Sequence, residues 1–111
     1  MQIRGLQMVK ISLLRTPNQK LGFQLANGNN INITIKTAKD VTLLSVSTDF
    51  KRIIDSALCE PNLIIEPHDK IYGFLYWDCQ DNEYPNYEKF GTLHNLYYVS
   101  PLDYLEMVYA E

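Results

Sequence analysis

The sequence predicts a mostly β protein, a small antiparallel β-barrel or sandwich of about six to eight short strands, followed by a short C-terminal helix or extended tail. Two observations carry this. Apolar and polar residues alternate with period two through much of the chain, as in strands with one buried face. Turn-forming clusters of Pro, Asn, Gly and Asp separate these runs at intervals of about eight to twelve residues.

The elements follow in order. "MVKISLLR" (8–15) is apolar and β-rich, and "TPNQ" (16–19) reads as a turn through Pro17 and Asn18. "KLGFQLA" (20–26) sets Leu21, Phe23 and Leu25 against Lys20, Gly22 and Gln24. "NGNN" (27–30) suits a hairpin turn, because Asn and Gly tolerate positive φ. "INITIKT" (31–37) alternates again, with Ile31, Ile33 and Ile35 inward, so residues 20–37 form a hairpin. "VTLLSVST" (41–48) is another strand. Residues 50–58 fit either a bent strand or one helical turn. Leu63, Ile64 and Ile65, between two prolines, fit a brief strand or an extended edge segment. "IYGFLYWDC" (71–79) is a strand bulky on both faces, with Leu75 and Trp77 or their alternates packing the core. Residues 80–90 are a loop and 91–100 the last strand. Leu102, Leu105, Met107, Val108 and Tyr109 give a rough helical stripe after Pro101, which suits a first helical turn. The chain reads as one domain, 1–111, with a β core at about 8–100 and a C-terminal segment at 101–111.

Composition narrows the function. A hydrophobic content of 46% is too high for a disordered chain. The net charge of -3 and scattered basic residues give no footprint for nucleic acid. No apolar run is long enough to span a bilayer, and the first residues lack a signal-peptide pattern. The expectation is a soluble protein made and kept in a cytoplasm, at least initially. Cys59 and Cys79 read as buried reduced thiols.

Few residues offer chemistry. Asp78, Asp81 and Glu83 cluster around Asn82, but their spacing matches no calcium loop, and no glycine allows its sharp turn. A solvated loop without metal is expected. His68 lies in "EPHDK" and His94 within a strand, where a satisfied structural role is expected. A Cys–His nucleophile would need a cysteine beside a histidine, plus an orienting group and a depressed thiol pKa. No catalytic signature surrounds either cysteine, and no phosphate-binding glycine motif is present. No enzyme activity and no cofactor are expected.

The tyrosines stand out. All eight lie between Tyr72 and Tyr109. A buried phenol needs a partner, so a core takes Phe or Leu more readily, whereas Tyr suits interfaces that are half dry and half wet. Part of the set packs the core and part meets a partner. The candidate contacts are Tyr84, Tyr87 and Phe90 in the loop, with Tyr104 and Tyr109 in the C-terminal segment.

The motifs "TPNQ" (16–19), "LANGNNINITI" (25–35), "GFLYWDC" (73–79), "YPNYEKFG" (84–91) and "LYYV" (96–99) carry a likeness over about residues 8 to 100. In them the chain resembles the phage baseplate plug family of small tail proteins. Trp77 departs from that pattern, which often has a smaller apolar residue there, and the tail after Ser100 extends beyond it. The resemblance implies a non-enzymatic structural component at the hub end of a contractile tail baseplate. There it would bridge or plug between tube, hub and wedge proteins in multiple symmetric copies, without nucleic-acid or membrane partners. Its location would be the virion, after assembly in the host cytoplasm. The rival reading is a small soluble β-barrel binding module, either an adaptor or immunity type or a single-strand nucleic-acid binder.

Overall fold

The structure, a computed structural model, describes residues 9–25, 28–67 and 72–100. Eight strands run through them: β1 (Val9–Ile11), β2 (Gln19–Gln24), β3 (Asn30–Ala38), β4 (Val41–Ser47), β5 (Arg52–Leu58), β6 (Ile64–Ile65), β7 (Phe74–Cys79) and β8 (His94–Val99). They form two antiparallel four-stranded sheets, ordered β1-β8-β7-β6 and β2-β3-β4-β5. Neither closes on itself, so of the two expected architectures the molecule is the sandwich. The expected C-terminal helix, with Tyr104 and Tyr109, lies outside the described residues, as does His68.

The second sheet is a meander whose faces follow the period-two pattern. Ile31, Ile33 and Ile35 of β3 are buried, as are Thr42, Leu44 and Val46 of β4. Leu21 and Phe23 of β2 are half-buried on the same side. The first sheet contributes Leu75, Trp77 and Cys79 from β7, Leu96 from β8 and Ile11 from β1, all in one cluster with the isoleucines. Each aliphatic side chain among these, fully buried, contributes about 1.5–3 kcal/mol. β7 is covered on both faces, since Phe74 is buried opposite the Leu75 and Trp77 side.

Residues 52–58 resolve the earlier ambiguity in favour of a strand, β5, and they also explain it. Ile53 and Ile54 are consecutive and both buried, which breaks the alternation. The β4–β5 register shifts on either side of Val46, and Ser56 has φ +50°. A bulged strand loses its period and sounds helical.

Candidate functional site

Hairpin loops usually take about two to five residues. The connection between β7 and β8 takes residues 80–93, and its ordering starts at the end of β7. The Asn82 N–H donates to the Cys79 carbonyl at 3.0 Å. Asn82 supplies the left-handed turn (φ +59°) for which the sequence offered no glycine. Asn62, from the segment before β6, docks its carboxamide on Cys79 like a short strand. Its Oδ1 accepts from the Cys79 N–H at 3.0 Å, and its Nδ2 donates to the Cys79 carbonyl at 3.2 Å and to Asn82 Oδ1 at 3.1 Å.

The acidic cluster is not simply solvated, which corrects that expectation. Lys89 Nζ reaches Asp81 Oδ2 at 2.7 Å and Glu83 Oε2 at 3.2 Å. Asp81 Oδ1 lies 2.7 Å from His94 Nε2 and accepts from the Glu83 N–H at 3.1 Å. His94 is fully buried, and its Nδ1 accepts from the Asn86 N–H at 2.9 Å. The ring proton therefore sits on Nε2 and is donated to Asp81, so the neutral imidazole is satisfied at both nitrogens. This is the structural role expected of His94. Among the described residues no group of three or more His, Cys, Asp or Glu is placed to hold a metal ion.

The Lys89 ammonium, then the His94 N–H, hold the Asp81 carboxyl well below the usual carboxylate range. A lowered folded-state pKa means that folding favours the ionised form. The resulting stability is present above the unfolded value of about 4 and is lost as pH falls through the folded one. Asp81→Asn should therefore lower the urea midpoint at neutral pH. Its deficit against the parent protein should shrink steadily below about pH 4. A deficit that does not change with pH would show that the carboxylate charge is not what holds the loop.

Further bonds tie the loop to the second sheet and to the β1–β2 connection. The buried Thr42 hydroxyl of β4 donates to the Pro85 carbonyl at 2.7 Å. Arg15 Nε, between β1 and β2, donates to the Phe90 carbonyl at 3.1 Å. Asn86 caps a 3-10 turn, Tyr87–Lys89, by accepting from the Glu88 N–H.

On this frame the expected contact residues separate. Tyr84 is 48% exposed, between backbone anchors at Glu83 and Pro85. Tyr87 is half-buried against the core. Phe90 is corrected: it is 1% exposed and stacks on Trp77, with ring centroids 5.3 Å apart and planes at 28°. An aromatic ring next to the turn at Gly91 (φ +83°) is folded back under the loop and cannot meet a partner.

The sequence reading missed Phe50. It is 92% exposed on the β4–β5 turn. The turn is held by Thr48, whose hydroxyl accepts from the N–H groups of Phe50 and Lys51 at 3.2 and 3.1 Å. The available signal was an aromatic directly after "STD", where a turn residue belongs. Thr42, under the loop, and Thr48, at this turn, are separated by nearly the length of β4, roughly 20 Å at strand rise. Tyr84 and Phe50 thus mark opposite ends of the sandwich.

Cys79 and His94 are cross-strand neighbours, the juxtaposition a Cys–His nucleophile would require. However, both ring nitrogens are already engaged, and burial pushes the Cys79 thiol up to about 11 and the Cys59 thiol up to about 12. An activated thiol needs the opposite shift. The cations Lys20, Lys36 and Arg52 line a recess on the outer face of the second sheet with Thr34 and Ser45. The aromatic residues Trp77, Tyr97 and Tyr98 belong to the other sheet. A single-strand binder needs bases stacked within a basic groove; none of Trp77, Tyr97 and Tyr98 lines this recess, and Lys51 lies over the Tyr72 ring elsewhere, 5.4 Å from its centroid.

No protein-family model matches the chain, and no curated protein is significantly similar to it.

Proposed function

We propose that this protein is a non-enzymatic structural component of a contractile phage tail baseplate, a small β-sandwich that bridges neighbouring tube, hub or wedge proteins. The observation that carries the bridging role is the pair of solvent-facing aromatics, Tyr84 and Phe50, on bonded turns at opposite ends of the molecule. Rigid aromatic side chains lose little entropy on binding and dominate interface energetics. Two such anchors at opposite ends let one chain hold two neighbours. The assignment to a tail rests on the resemblance of the strand and turn motifs described above.

Purified tails should contain the chain at a fixed stoichiometry by mass spectrometry, and its absence would sink the tail assignment. Tyr84→Ala should weaken binding of one neighbour by tenfold or more, about 1.4 kcal/mol or above, while leaving the urea midpoint unchanged. Phe50→Ala should spare that neighbour. Intact binding in the Tyr84 variant would remove the loop from the interface.

A further inference from the structure

Open sheets have edges, and edges invite pairing unless they are guarded. Among the described residues three of the four are guarded. β1 has three residues and β6 two. β5 is bulged, carries the Arg52–Asp55 ion pair and turns through a positive φ at Ser56. β2 is different: six residues long, in unbroken register with β3 and with no positive φ.

The direction of its backbone groups follows from the hairpin. The Leu25 N–H donates to the Asn29 carbonyl, continuing the pairing in which Gln24 faces Asn30. Antiparallel pairs alternate between bonded and non-bonded. The odd-numbered residues of β2 therefore bond to β3. Thr37 agrees, since its N–H, in the same phase of β3, turns toward the β2 side and donates to Asn18 Oδ1. Lys20, Gly22 and Gln24 then aim their N–H and C=O groups at the open edge, and all three are exposed.

We infer that β2 is a self-association edge, pairing antiparallel with β2 of a second copy about a two-fold axis at Gly22. The sequence is self-complementary in that register. Gly22 meets the partner's Gly22, Lys20 meets the partner's Gln24, and Leu21 meets the partner's Phe23. Every outward backbone group from Lys20 to Gln24 is then bonded. No like charges face each other, and the half-buried Leu21 and Phe23 gain apolar cover. A register centred on Leu21 also keeps the faces matched, but it sets Gln19 against Phe23 and leaves Gln24 without a partner in the strand. This inference concerns the chain alone and does not rest on the tail assignment.

The test is sedimentation equilibrium of the purified chain, with amide exchange followed at two concentrations. A concentration-dependent dimer is expected, in which the amides of Lys20, Gly22 and Gln24 slow at high concentration. Gln24→Lys places like charges opposite each other twice and should weaken the dimer about tenfold. Lys20→Glu with Gln24→Lys restores opposite charges and should return the affinity to within about threefold of the parent. Both sites are exposed, and the Gln24 amide's bond to the Gly28 carbonyl at 3.2 Å is a solvent-facing one that a lysine ammonium can replace, so neither variant should disturb the fold. A monomer up to about millimolar concentration would overturn the inference. So would a dimer in which Gln24→Lys has no effect and these amides stay fast, or slowing that appears only when another protein is added.

Discussion

Trp77→Ala is expected to destabilise the protein by about 3–5 kcal/mol, a large share of the roughly 5–15 kcal/mol typical of a domain. The indole is fully buried in the cluster that joins the two sheets, and it supports the Phe90 ring that holds down the long loop. Its removal leaves a cavity beneath Phe90, so the loss reaches the loop as well as the core. Trp77→Phe should cost well under half as much. The indole N–H is buried without an oxygen or nitrogen acceptor and lies against the Cys59 thiol, a weak one, so little hydrogen bonding is lost with it. Urea unfolding of the two variants gives the comparison. Equal losses would mean that the N–H, not the volume, is what matters.

Gly73→Ala is expected to cost about 3–5 kcal/mol, combining a backbone penalty with a steric one. Gly73 enters β7 at φ +89°, and a Cβ there would fall 2.4 Å from Tyr98 Oη and 2.5 Å from Cε1. Tyr98 cannot simply swing away. Its hydroxyl donates to the Tyr72 carbonyl at 3.1 Å, and its ring meets Phe23 edge-on at 5.4 Å, across the sandwich. Gly28→Ala is the control, with φ +93° and nothing within 4 Å of the added carbon. It should show only the backbone penalty, about 1–3 kcal/mol. Thermal or urea midpoints of both variants check the ranking. Equal shifts would show that the tyrosine yields at little cost.

These two sites mark how far the sequence could be read. The hairpin of β2 and β3 was legible because Ile31, Ile33 and Ile35 keep strict alternation beside an Asn–Gly turn. β4 was legible as a β-branched run. β5 was not, because adjacent Ile53 and Ile54 erase the period. Within the loop, chain position gave the aromatics and acids but not their partners. Phe90 stacks on Trp77, and Asp81 joins Lys89 and His94, through contacts that no strand or helix periodicity encodes. A satisfied strand residue was nevertheless the right expectation for His94, since both its nitrogens are bonded. Phe50 escaped notice because its one signal, an aromatic directly after "STD", is local and has no period to reinforce it.

The two sheets also differ in when they can exist. β2 through β5 pair only with sequence neighbours, all within residues 19 to 58. The other sheet seats β1 against β8, so Ile11 must find Leu96. Closing so long a loop costs entropy before any contact offsets it, and such pairings form late. During synthesis the meander can therefore assemble while the strands that roof it are still unmade. Until β7 and β8 emerge, Ile31, Ile33, Ile35 and Leu44 present an uncovered apolar sheet face, and that interval is when a growing chain is most exposed to aggregation.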